Sequence, residues 1–279
     1  MTARPRVALA TAARWPDLDA DGPAVLAALH RVGVDAVPAV WDDPAVDWAA
    51  YDLAVVRSTW GYVPRCAEFL EWAASVPRLA NPADVLRWNT DKRYLRELAA
   101  AGVPVVPTAF VAPGEAFGVP AYEHVVKPAI SAGSADTVRF AAGEDSTAHA
   151  TSLLDAGRTV MVQPYQAAID VHGETALLLF DGVLSHAVRK GPVLVPGVTD
   201  PHAVAVAPAQ ATPAQLAVAQ AALAAVPFAG PLLYARVDVV PGPDGSPVLL
   251  ELELTEPSLF LGRSDGGADR FAAALRSHV

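Results

Sequence analysis

Three carboxylates late in the chain carry the strongest chemical signal. The run Tyr234-Ala-Arg-Val-Asp-Val-Val holds Asp238, and after a Gly/Pro-rich break the run Val248-Leu-Leu-Glu-Leu-Glu-Leu holds Glu251 and Glu253. Residues i and i+2 of a strand face one side. Glu251 and Glu253 therefore share a face, and a neighbouring strand could bring Asp238 to them. Converging carboxylates repel unless a cation joins them. An all-oxygen set suits Mg²⁺ or Mn²⁺, with nucleotide phosphates completing the shell. The same alternation also describes two amphipathic edge strands with solvated acids.

Other residues line up with nucleotide chemistry. Lys127 precedes the loop Ile130-Ser-Ala-Gly-Ser-Ala-Asp-Thr137, where small residues such as Ser131 and Ala132 let backbone N–H groups approach phosphate oxygens. Lys92, upstream, is a second candidate cation. Gln163, Pro164 and Tyr165 end an apolar run, as expected of a hinge whose backbone pairs with a base edge. Glu174 could take ribose hydroxyls, and Arg189 and Lys190 could supply charge to phosphates. Arg57, Ser58 and Thr59 follow a strand, at the carboxyl end where open α/β sheets bind ligands. Each feature has an ordinary alternative: a solvated lysine, a Pro-terminated strand, an exposed basic pair, a capped turn. His124, His172, His186 and His202 lack a ligand spacing such as His-x-x-x-His and read as structural or surface residues. His186 alone is worth testing near a site.

The elements that must position these residues follow from periodicity. Strands are expected at Arg6–Ala10, Val34–Val40 and Tyr51–Arg57, with helices at Gly22–Val32 and Pro64–Ser75. That alternation predicts an open α/β domain with a parallel sheet. From Asn81 a new unit begins. Asn89 or Thr90 can cap a helix running to about Ala101, ended by Gly102. Strands follow at Val105–Val111, His124–Pro128 and Val138–Phe140, then a helix over 145–156 and a strand at Thr159–Tyr165. Beyond Gly173, Asp181-Gly182 joins two apolar runs as a tight hairpin. An amphipathic Ala/Leu/Val helix at Pro213–Ala225, the two acidic strands and a last helix at Gly267–Ser277 complete the chain. The expected units are 1–80, an N-terminal α/β substrate-side domain; 81–165, a central lid subdomain; and 166–279, a C-terminal subdomain with the metal and phosphate site.

Composition narrows the classes. Apolar residues are 53% and charged ones 18%, which excludes disorder. A net charge of −10 disfavours nucleic-acid and anionic-membrane partners. The single cysteine, Cys66, excludes a disulfide framework and fits a reducing, cytoplasmic compartment. No run approaches the roughly 18 apolar residues of a membrane span.

Taken in order, the lysine, lysine-plus-small-loop, hinge, Gly-Glu, basic pair, Arg-x-Asp and Glu-x-Glu features resemble the ATP-grasp superfamily over about Asn81 to Ser258. Ala235-Arg-Val-Asp238 and Glu251-Leu-Glu-Leu-Thr-Glu-Pro257 look like the signatures of its glutathione-synthetase-like members. Arg57-Ser-Thr-Trp60, Trp88-Asn-Thr-Asp-Lys92, Val126-Lys-Pro-Ala-Ile-Ser-Ala132, Gln163-Pro-Tyr165, Ser185-His186 and Glu253-Leu-Thr-Glu-Pro-Ser-Leu259 look most like the O-ureido-serine cyclo-ligase group of cycloserine biosynthesis.

The resemblance implies an ATP-grasp fold behind a Rossmann-like domain, and an ADP-forming carboxylate–amine ligase acting through an acyl phosphate. It implies ATP and one or two Mg²⁺ or Mn²⁺ ions, with two as the expectation, and a homodimer. Asp238, Glu251 and Glu253 would hold metal. Arg236, Lys190 and Arg189 would stabilise the reacting phosphoryl and acyl groups. Lys92, Lys127, Ser131, Ala132, Gln163, Pro164, Tyr165 and Glu174 would bind the nucleotide. Arg57, Ser58, Thr59 and Ser258 would hold a small amino-acid-like substrate. Three departures stand out. Glu253 replaces the family's Asn, and would bind metal or accept a substrate ammonium. Ala176 stands where glutathione synthetases carry a basic residue. The loop after Lys127 is poor in glycine. Competing readings are an intermolecular amide or dipeptide ligase, a non-catalytic nucleotide-binding module, and an unrelated α/β protein.

Overall fold

The computed structural model describes residues 3–194 and 204–279, and they form three sheets. The first is parallel, in the order β2-β1-β3-β4, from β1 (Arg6–Thr11), β2 (Asp35–Val40), β3 (Leu53–Ser58) and β4 (Leu79–Ala80). Strands β1 and β3 are buried along almost their whole length, as a parallel strand covered on both faces must be. Helices α1 (Gly22–Arg31) and α2 (Cys66–Ser75) supply the cover.

The second sheet is antiparallel, in the order β5-β8-β6-β7, from β5 (Ala109–Val111), β6 (His124–Pro128), β7 (Val138–Phe140) and β8 (Val160–Pro164). Its own small core joins Val126, Phe140, Val160 and Val162 to Ala150 and Leu153 of α5 (Thr147–Asp155). A single strand was expected over Val105–Val111. Instead, the Val106 N–H bonds to Leu249 and the Leu249 N–H to Pro104, before Pro107 breaks the run and β5 joins the other sheet. One short segment thus serves two sheets, because proline cannot donate to a ladder.

The third sheet holds the acidic strands. Its order is β11-β10-β9-β12-β13, from β9 (Glu174–Phe180), β10 (Val183–Lys190), β11 (Val206–Ala209), β12 (Tyr234–Pro241) and β13 (Pro247–Glu253). The Asp181-Gly182 turn closes the β9–β10 hairpin with φ of 49° and 74° at its two central residues. Both values are left-handed, as a type I′ turn requires.

Strand alternation divides this sheet. Leu177, Leu179, Ala235, Val237 and Val239 face α7 (Pro213–Ala224) and α4 (Tyr94–Ala100). Leu178, Phe180 and Tyr234 face the other way, into a core shared with Leu9, Val25, Leu29 and Val55 of the first sheet and with Phe271 and Leu275 of α8 (Gly267–Ser277). The last helix therefore packs on the N-terminal layer, and Arg31 pairs with Asp269 between α1 and α8.

One long helix after Asn89 was expected; two short ones are found. Asn89 ends α3 (Ala83–Asn89), and α4 starts at Tyr94. Asn89 caps nothing: its amide donates to the Leu252 carbonyl and accepts from the Leu254 N–H. The break frees the Lys92 N–H to bond to the Ala129 carbonyl just after β6.

Candidate active site

A cavity of about 480 Å³ opens where the three sheets meet. The β12–β13 register sets Asp238 opposite Glu251 and Arg236 opposite Glu253. A bulge at Leu250 follows this pair, so Leu249 and Leu252 both reach the apolar layer while Glu251 and Glu253 keep the cavity face.

Each acid in this cluster meets a cation. Arg236 holds Asp238 through Nε and Nη2, both at 3.0 Å, and also pairs with Glu253. Lys190 bridges Glu174 and Asp238, the latter at 2.8 Å. Lys92 reaches Glu251 at 3.0 Å and the Ser131 carbonyl at 2.8 Å. Burial opposes charge on Asp238, but Arg236 and Lys190 outweigh it and hold the carboxyl well below its usual range. Glu251 is lowered in the same way: Lys92 and Lys127 overcome its burial. Burial wins at Glu253 and Glu174, and their carboxyls are pushed up. Among the described residues no three acid or imidazole side chains form a ready-made ligand cage. Asp238 and Glu251 are thus the acids held ionised, whereas Glu253 and Glu174 keep a proton more readily.

Lys127 differs from the other cavity lysines. Among the described residues it has no ion pair, and burial lowers its pKa. Ser131, Ala132 and Gly133 line the wall beside it, with Gly133, Ser134 and Asp136 at φ of 60°, 57° and 56°. Gln163, Pro164, Tyr165 and Ser258 also line the cavity. Gln163 donates to Thr108 Oγ1 at 2.9 Å. The Tyr165 N–H is already taken by the Glu123 carbonyl, so this hinge group is not free for a base edge. Its ring lies under Arg139, 3.5 Å from the guanidinium carbon.

Four expected residues fall outside this wall. Arg189 is exposed on the opposite face of β10 from Lys190, because neighbours on a strand point to opposite sides. Ser58 is buried against Thr11, their hydroxyls 2.6 Å apart, and Thr59 is fully buried. Arg57 is 2% exposed beneath the segment after β13, where it donates to the Pro257 carbonyl. Ala176 is buried opposite Asp238. His124 is buried between the Tyr122 carbonyl and Ser146, a structural role, His172 is exposed, and His202 lies outside the described residues.

The sequence reading missed Arg14, Trp15, Trp60, Tyr62 and Glu256, which complete the cavity on the N-terminal side. It also missed how residues 254–259 are held. Their six successive carbonyls accept hydrogen bonds from side chains: Asn81 to Leu254 (2.7 Å), Tyr234 to Thr255 (2.8 Å), Trp60 to Glu256 (2.8 Å), Arg57 to Pro257 (3.4 Å), Arg236 to Ser258 (3.4 Å) and His186 to Leu259 (2.9 Å). Among the described residues this strap has no strand partner, so side chains satisfy the backbone instead.

Comparison with known proteins agrees with this layout. Residues 7–81 match the family model described as the N-terminal domain of D-cycloserine synthetase DcsG. The chain is 45% identical to the cycloserine biosynthesis protein DcsG of Streptomyces lavendulae, with 98% of each chain covered. A crystal structure of D-cycloserine synthetase DcsG superposes with a TM-score of 0.89 at 42% identity, covering 98% of this chain and 99% of that one. The RimK domain ATP-grasp protein of Sphaerobacter thermophilus shares the fold at 21% identity and a TM-score of 0.65, with 97% and 99% covered. The chain carries an ATP-grasp fold, and its 45% identity to DcsG over 98% of both chains means that it belongs to the DcsG family.

Proposed function

We propose that this enzyme uses ATP to activate the carboxylate of a small amino-acid-like substrate as an acyl phosphate, releasing ADP, and then closes a five-membered ring within that molecule, as in O-ureido-serine cyclo-ligation. The observation that carries the reading is full-length 45% identity to a cycloserine biosynthesis protein, combined with a cavity in which Lys92, Lys127, Lys190 and Arg236 surround Asp238 and Glu251. Solved ligases of this fold hold ATP, or Mg and ADP.

The donor set fits a hard divalent cation. Asp238 and Glu251 supply ionised oxygens from adjacent strands, and phosphate oxygens would complete the shell. Bound there, Mg²⁺ would neutralise charge on the transferring phosphoryl group. Lys127, without a carboxylate of its own, is available to phosphate oxygens. Lys92 ties the small-residue loop to β13 and so sets that loop over the nucleotide. Arg236 would steady the developing acyl oxyanion, and Glu253 orients it. Exclusion of water protects the acyl phosphate, and the loop 130–137 over the cavity serves that end. The single cysteine fits a cytoplasmic setting.

ADP release with O-ureido-serine as sole substrate tests the reading. Ring closure requires ADP without a second amine. A need for an added amine would make the enzyme an intermolecular ligase, and AMP with pyrophosphate would overturn acyl-phosphate chemistry. Glu251→Gln should cut turnover by about 100-fold or more while leaving the circular-dichroism spectrum unchanged.

A further inference from the structure

Glu256 stands apart from the other acids of the cavity. Asp238, Glu251, Glu253 and Glu174 each pair with a lysine or arginine. Among the described residues Glu256 lines the same cavity with no ion pair. Its neighbour is the buried Tyr62 hydroxyl. Trp15 and Trp60, packed edge to face at 5.1 Å, form the adjoining wall. The backbone at Glu256 is fixed: Trp60 holds its carbonyl, and Tyr234 and Arg57 hold those on either side. Burial pushes the carboxyl up to about 7, against the pull of Lys92, the Tyr62 hydroxyl and Arg236.

A carboxylate held rigidly in an aromatic-walled cavity is matched by a small cation. A bound ammonium would pair with the carboxylate, which burial otherwise penalises, and aromatic faces attract cations as well. A guanidinium or ammonium of this chain already satisfies each of the other acids. Glu253, which could have received an ammonium, is held by Arg236.

Resting on the ligase reading above, we infer that Glu256 is the specificity residue that binds the substrate's free primary ammonium, with Tyr62 and Trp60 completing the subsite, so that the enzyme takes amino acids rather than simple carboxylic acids. The substrate then spans the cavity, its ammonium at Glu256 on the N-terminal side and its carboxylate toward Arg236 and the phosphate site.

The test is calorimetric binding to the full chain, loaded with Mg²⁺ and a non-hydrolysable ATP analogue. The probes are O-ureido-serine, serine and alanine, each against its des-amino counterpart. Wild-type protein should prefer an amino form by about tenfold or more, the size of a charge-assisted hydrogen bond. Glu256→Gln should reduce that preference to about twofold or less and leave affinity for the ATP analogue unchanged. Glu256→Asp, which keeps the charge on a shorter arm, should retain part of the preference and guards against a Gln variant that fails to fold. Wild-type protein that binds amino and des-amino forms alike, or no amine at all, overturns the inference. So does a Gln variant that weakens both forms equally. A wild-type preference for the amine without ADP release supports the ammonium site and overturns the ligase reading alone.

Discussion

Lys190 and Arg189 are adjacent in sequence, yet only one reaches the cavity. Lys190 lies between Glu174 and Asp238, whereas Arg189 is exposed on the other face of β10. Lys190→Ala should therefore lower kcat/KM by about 100-fold, the scale of losing one charged stabiliser. Arg189→Ala should stay within about twofold of wild type. Steady-state kinetics of the two variants checks this, and a large loss in Arg189→Ala would contradict the face assignment. The acids differ as sharply. Asp238 is held ionised by two cations, while burial raises Glu253 and Glu174, so identical carboxyls in one cavity have different proton affinities.

The strap 254–259 is the element that brings Thr255, Glu256 and Ser258 to the cavity wall. It follows β13, has no strand partner among the described residues, and is held by side chains from Asn81 directly after β4, from β3 and the turn after it, and from β10 and β12. Arg57 was expected to touch substrate; its geometry makes it a positioning residue beneath Pro257. Arg57→Met should raise KM for the amino substrate several-fold, leave KM for ATP unchanged, and lower the melting temperature. Matched kinetics with each substrate varied in turn measures the split. A rise in KM for ATP would place Arg57 in the nucleotide site instead. The second sheet is built differently, with its own core around Val126 and Phe140, and it joins the third sheet near Val106 and at Lys92.

At the scale of the whole molecule, the sharing of one apolar core by α1, α8 and two sheets fixes the N-terminal wall against the acidic strands. The cavity between them carries a pH signature. The Glu256 carboxyl rises from an ordinary 4.5 to about 7 on folding, because it is buried. The native state then holds this proton more tightly than the unfolded chain, so the term costs nothing below pH 4.5 and destabilises increasingly as pH rises to 7. In scanning calorimetry without ligand, Glu256→Gln should melt with wild type near pH 5 and above it at pH 8, by about 2–4 °C for each kcal/mol relieved. Equal melting at both values would mean that Glu256 titrates normally. No helix among the described residues is long and apolar enough to cross a membrane.

The sequence by itself determined most of the elements and the kinds of residue that meet in the cavity. Strand alternation put Glu251 and Glu253 on one face, Asp-Gly dictated the β9–β10 turn, and the order of lysines, acids and Arg236 carried the family resemblance, because these depend on local spacing. Tertiary structure alone decided which neighbours share a wall. A bulge at Leu250, a helix broken at Thr90 to suit Lys92, and the burial of Arg57 all arise from long-range partners. Glu256 was hidden for the same reason. An acid before a proline looks ordinary until Tyr62 and Trp60, nearly two hundred residues earlier in the chain, fold against it.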